Sequence, residues 1–224
     1  MERNDFANVR KLLAIGLIAS VVTVLGGELP IGWVEYPESD NYIMSMLLSC
    51  RDLSVFQLAC GMFFGGICIP LQYYGFEAVS RIVTLGGSKK AGKLIHWGAL
   101  ATAFWGGIVH VICVALMFLC RVTDMGQAIP GSILDFTLWL VMPISVVFMP
   151  IYYAMTVVMA VAIGKGKTIL PKWAAVFNPL TATLVLNALP MFLSGAFVNA
   201  LGMANMGIGS VLTFGGILWL LKRK

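Results

Sequence analysis

His110 stands alone in an apolar run, ALATAFWGGIVHVICVALMFLCR over Ala99–Arg121, long enough to cross a bilayer. Ala99, Ala103, Gly106, His110 and Cys113 recur at helical spacing and form the small-residue face of that segment. Small faces are where membrane helices approach closely, so the imidazole is expected to point into protein. A buried ionisable group in a span is a candidate functional group. The plain structural alternative is a neutral histidine bonded to a neighbouring helix. With a carboxylate in a low-dielectric pocket, a histidine can move protons on a lipophilic substrate, hold a polar head or couple a proton to transport. The catalytic candidates are therefore His110, Glu28 and Asp135. His96, the other histidine, lies about 20 Å along the same helix by helix rise, so the two cannot share a metal. His110, Glu28 and Asp135 carry no metal-ligand spacing, and no metal or other cofactor is expected. GxSxG, HExxH, P-loop and strand-linked GxGxxG patterns are absent, so no serine or cysteine nucleophile is nominated.

The elements that must position these groups follow from composition. The 224 residues are 59% hydrophobic and 11% charged, with mean hydropathy +0.91. A soluble domain carries about 25% charged residues. The chain is expected to be all-α, a polytopic membrane helical bundle forming one transmembrane domain over 1–224. Its net charge of +5 is not a nucleic-acid signal, because the basic residues sit beside the spans and meet lipid headgroups there. Membrane lipid is the expected partner, with a small amphiphile or a partner membrane protein beyond it, and no nucleic acid.

Six transmembrane helices are expected at about 12–31, 53–80, 94–120, 133–163, 173–193 and 198–221. The first is read as a retained helix and not a cleaved signal, since Glu28-Leu29-Pro30 falls where cleavage would be needed. Its small face is Gly16, Ser20, Thr23 and Gly27, and Gly61 and Gly65 make a GxxxG in the second. Residues 32–52 read as a polar loop with Glu35, Glu38, Asp40, Arg51 and Asp52. Asp124 and Pro130 mark another loop. The fourth span exceeds a roughly 30 Å hydrocarbon core by half, and Pro143 and Pro150 predict kinks in it.

Charge fixes the expected orientation. Arg10/Lys11, Lys89/Lys90/Lys93, Lys165/Lys167/Lys172 and the terminal Lys222-Arg223-Lys224 alternate with basic-poor loops. The positive-inside rule then predicts both termini in the cytoplasm. Trp33, Trp97, Trp139, Trp173 and Trp219 fall near span ends as interfacial anchors.

With that orientation the polar groups crowd into the outer half of the membrane. Glu28, Arg51, Gln57, His110, Asp135, Asn199 and Asn205 are the candidate ligand-binding residues, and Asp52 and Asn187 lie at similar depth. The inner half holds Gln72, Tyr73, Glu77 and Asn178. Unsatisfied polar groups in hydrocarbon cost several kcal/mol, so an outward-facing polar cavity would explain the asymmetry. A Glu28–Arg51 pair is expected within it. The competing readings are interfacial residues for Arg51, Asp52 and Asp135, and helix–helix hydrogen bonding for Asn199 and Asn205. The Met142, Met149, Tyr153 and Thr156 stripe reads as packing. Among five cysteines without a CxxC, Cys60, Cys68 and Cys113 read as small apolar residues. Cys50 and Cys120 both fall near the outer boundary, where a disulfide between them is open and the odd cysteine count does not decide it.

Gly26-Gly27-Glu28, Arg51, Pro70 with Tyr74-Gly75, Gly107 with His110, and Pro150 with Tyr153 together resemble a family of bacterial six-helix membrane proteins of unknown function. The resemblance covers most of the chain. It implies a fold and a location, the bacterial inner membrane, and no activity. A looser similarity is to eukaryotic helical membrane bundles that bind or isomerise sterols through buried carboxylates, a histidine and aromatics. Span count and order do not map onto those, so no residue role is carried over. The leading expectation is a protein that binds or translocates a small amphiphile, with Glu28, Arg51, His110 and Asp135 at its polar end. The alternatives are a membrane-embedded acid–base enzyme using His110 with Glu28 or Asp135, and an accessory subunit of a membrane complex.

Overall fold

The computed structural model describes residues 3–38, 42–123 and 129–222. Asp40, Asp124, Arg223 and Lys224, which enter the charge pattern above, lie outside them. Among the described residues all regular structure is helical.

α1 (Arg3–Val22) runs through a π-helical turn, Thr23–Glu28, into the short α2 (Leu29–Gly32). The segment read as a polar loop contains α3 (Tyr42–Ser49) and a 3-10 turn, Cys50–Asp52. Leu47 of α3 is buried, which is why that stretch folds onto the bundle. α4 (Val55–Leu71) and α5 (Tyr73–Leu85) form one rod bent at Gln72, two residues after Pro70. α6 (Lys89–Val122) is uninterrupted. α7 (Gly131–Phe136) passes through a second π-helical turn, Thr137–Val141, into α8 (Met142–Gly164). Both π-helical turns end two residues before a proline, Pro30 and Pro143. A proline ring clashes with the carbonyl four residues back and offers no N–H, so the helix widens upstream of it.

Among the described residues five helical segments are long and apolar enough to cross a membrane: Asp5–Gly32, Val55–Leu85, Lys89–Val122, Gly131–Gly164 and Asn205–Lys222. The segment expected as a span at 173–193 is not one helix. It consists of a 3-10 turn (Lys172–Val176), α9 (Pro179–Ala188) and another 3-10 turn (Leu189–Met191). Asn178 starts α9 by accepting from Leu180 N at 2.9 Å, while its amide donates to Thr156 O at 2.9 Å. The expected helix at 198–221 is divided into α10 (Ala196–Met203) and α11 (Asn205–Lys222). The Asn205 amide donates to Gly202 O at 2.5 Å across that break.

Neighbouring rods run antiparallel. A Cβ on Gly16 would meet both Gly75 and Phe214, and Gly98 and Gly106 of α6 face Met155 and Phe148 of α8. The Arg10 guanidinium donates to the Leu221 carbonyl, so the two terminal helices end at the same face of the bundle. Ser80 donates to Gly92 O at 2.8 Å there, and Gly86 abuts Lys167. Arg10, Arg81, Lys89, Lys167 and Lys222 thus share one end, referred to below as the basic end.

Two apolar cores result. One, towards the basic end, holds Leu13, Phe76, Ile82, Ile95, Met159, Phe214 and Ile217. The other joins Ile31, Leu47, Leu53, Leu58, Val114 and Ile133 near the opposite end. Cys50 and Cys120 belong to the second and meet there as free thiols. Phe56 and Trp139 are 77% and 76% exposed, the outward apolar surface that a lipid solvent accommodates.

Candidate functional site

Between the two cores lies a cavity of about 250 Å³. Its position follows from three local features of the sequence.

The first is the π-helical turn of Gly26-Gly27-Glu28. Leu29 N–H bonds to Val24 O, five residues back, and the extra residue turns Glu28 towards α11. Glu28 is 7% exposed. Its Oε2 lies against Gly207, where a Cβ would stand 2.1 Å away. Only glycine at the start of α11 admits the carboxyl group.

The second is the GxxxG of α4. A Cβ on Gly65 would stand 2.0 Å from both Cδ2 and Nε2 of His110. The small face admits an imidazole and not merely a backbone. Nε2 of His110 is 3.0 Å from Gly61 O. A carbonyl oxygen only accepts, so Nε2 carries the hydrogen and donates it. Nδ1 is left as the ring's acceptor, and His110 borders the cavity.

The third is the inward line of α6 and α8. Thr102 stands two helical turns before His110, and Tyr152 one turn after Phe148; all line the cavity. Thr102 and Tyr152 are 6% and 3% exposed. Ser210, which donates to Met206 O at 3.1 Å, stands beside the Tyr152 phenol.

Four buried side-chain polar atoms among the described residues have no hydrogen-bond partner: Arg10 Nε, Glu28 Oε2, Thr102 Oγ1 and Tyr152 Oη. The last three belong to residues that line this one cavity. Each such atom costs roughly 1–3 kcal/mol, and a native protein tolerates a cluster of them where something else supplies the bonds. Most of the remaining wall is apolar, including Ile69 and the flexible Met117, Met149 and Met203.

Of the residues nominated from sequence, Glu28, His110 and Asn205 line the cavity, while Arg51, Gln57, Asp135 and Asn199 do not. Arg51 is exposed on the 3-10 turn while Glu28 is buried, and among the described residues no ion pair joins them, so the expected Glu28–Arg51 pair is not seen. Gln57 closes a capping box with Ser54 and donates to Pro30 O at 2.9 Å, tying α4 to α2. Asp135 is exposed on α7. Asn199 donates to Val34 O at 2.8 Å and borders a separate groove with Asn187. Asn205 also bonds Thr183 and Asn187, each at 3.2 Å.

Sequence reasoning missed Thr102 and Tyr152 and put Gln72 at another depth. Thr102 lies on His110's own helical face and was detectable by spacing. Tyr152 adjoins Tyr153, and choosing between them needs the direction in which α8 faces. Gln72 lines the cavity and donates to Thr23 Oγ1 at 3.4 Å. A carboxylate–histidine pair does form, but between Glu77 and His96 (2.7 Å), with Arg81 donating to Glu77 at 2.8 Å. No group of three or more metal-ligating side chains assembles among the described residues.

No curated protein and no solved structure matches the chain. A family model, described as a family of unknown function (DUF6796), matches residues 1–224.

Proposed function

We propose that this chain, which belongs to that family of unknown function, is a multi-pass membrane protein that binds or translocates a small amphiphilic molecule. Glu28, His110, Thr102 and Tyr152 hold its polar end in the cavity between the two cores. The observation that carries this reading is the convergence of three unpartnered buried polar atoms on one apolar-walled space. We put the basic end in the cytoplasm by the positive-inside rule, with both termini there, and the cavity in the outer leaflet. The interrupted stretch 172–191 then serves as a sixth crossing, its break at Asn178 tolerated because the Asn178 side chain bonds Thr156 O and Leu180 N within the protein. The bacterial inner membrane is the proposed location.

Native mass spectrometry of the protein released from mild detergent tests the reading. A discrete bound mass on the wild type, lost in Glu28→Gln and His110→Ala, supports it. A clean wild type with a second membrane protein co-purifying moves the assignment to an accessory subunit. The acid–base enzyme has less support: the His110 hydrogen bond goes to a backbone carbonyl and not to a carboxylate.

A further inference from the structure

Resting on the binding reading above, we infer that the molecule taken by this cavity is a lipophilic amine, which presents its ammonium group to Glu28. The unpartnered atoms of Glu28, Thr102 and Tyr152 are all oxygens with free acceptor capacity, and the two hydroxyls can also donate to the carboxyl group or to one another. His110 adds a fourth acceptor, Nδ1, because its Nε2 hydrogen is given to Gly61. One amide N–H of Gln72 goes to Thr23, and the Asn205 amide is engaged with Gly202 and Asn187.

Charge points the same way. The residues lining the cavity include a carboxylic acid and neither lysine nor arginine. A carboxylate or phosphate headgroup would enter against Glu28 with no cation to neutralise it, at a large desolvation cost. An ammonium group supplies three N–H donors and the opposite charge. Phe148 and Tyr152 add aromatic rings, 5.7 Å apart by centroid, on the same wall. Ring faces attract cations, and more strongly when desolvated. The methionine and isoleucine walls suit the hydrocarbon part.

The test is thermal unfolding of the full-length protein in mild detergent with n-octylamine, n-octanol or octanoate at matched concentrations. These probes share a chain and differ in the head. Wild type is compared with Glu28→Gln, with Tyr152→Phe, and with Asp135→Asn as an exposed acid outside the cavity. Octylamine is expected to raise the midpoint of wild type and Asp135→Asn. Its apparent affinity should fall about 10–100-fold in Glu28→Gln, the loss expected of a charge-assisted hydrogen bond, and less in Tyr152→Phe. If Glu28→Gln does not fold, Tyr152→Phe carries the comparison. Octanol or octanoate stabilising as well as octylamine would overturn the amine while leaving the cavity as a binding site. An octylamine effect equal in Glu28→Gln and wild type also overturns it. If no probe moves the wild-type midpoint the amine inference fails, and the native mass measurement decides separately whether the binding reading fails too.

Discussion

The His110 imidazole occupies the place a side chain at Gly65 would take. A Cβ there would lie 2.0 Å from its Nε2, and the same nitrogen is 3.0 Å from Gly61 O, one turn earlier. The GxxxG of α4 is therefore a socket for a ring. Gly65→Ala is expected to destabilise the protein by about 1–3 kcal/mol through overpacking. In the background of His110→Ala the same change should cost much less, because the ring it strikes is gone. Thermal unfolding of the two single variants and the double variant reads the coupling. Additive effects would show that His110 is not what Gly65 makes room for.

Gly207 and Gly202 offer a matched comparison at the other wall. A Cβ on Gly207 would stand 2.1 Å from Glu28 Oε2 and 2.7 Å from Val24 Cγ2, whereas one on Gly202 would meet nothing within 4 Å. Both residues line the cavity. Gly207→Ala should displace the Glu28 carboxyl, lower stability by about 1–3 kcal/mol and abolish the bound mass seen by native mass spectrometry. Gly202→Ala should leave the fold intact. Equal behaviour of the two variants would remove the case for Glu28 being held by close approach of α11.

These contacts show what the sequence can and cannot disclose. The inward direction of His110 was legible, because small residues at helical spacing mark a packed face whatever packs there. Glu28 was legible as a carboxyl group inside an apolar segment. The π-helical turn that aims it follows from Pro30, but its direction depends on where α11 lies. Gln57, Asn199 and Arg51 have the right types at similar depth, and depth alone does not say which way a side chain points. Gln57 and Asn199 are spent on backbone carbonyls of neighbouring segments, and Arg51 is exposed. The stretch 173–193 has the hydropathy of a span, yet Asn178-Pro179 and Pro190 divide it, since each proline removes a helical N–H.

Gln57 is a cap, and its removal separates structure from binding. It completes a reciprocal capping box with Ser54 and bonds Pro30 O. Gln57→Ala is expected to lower stability by about 1–2 kcal/mol. The mass bound by the folded protein should be unchanged, because Gln57 does not line the cavity. Loss of the bound mass at full stability would return Gln57 to the binding set.

Cys50 supplies a pH dependence outside the membrane-crossing helices. The hydrogen-bonded Cys120 thiol, and then burial, push the Cys50 thiol well above the ordinary thiol range. The folded chain thus holds this proton at pH values where the unfolded chain, with an ordinary thiol near pKa 8.5, releases it. Below that pH both states are protonated and the contribution to stability is fully present. Above it the unfolded state gains by ionising, so stability falls as pH rises. The Cys50 contribution should decline from pH 7 to 10, read as the pH dependence of the difference in thermal midpoint between wild type and Cys50→Ser. Maleimide labelling of the folded protein should stay slow at Cys50 across the same range, since the reactive thiolate does not form. Rapid labelling that rises tenfold per pH unit through 8 would mean that Cys50 is an ordinary exposed thiol and that the second core is open at its edge.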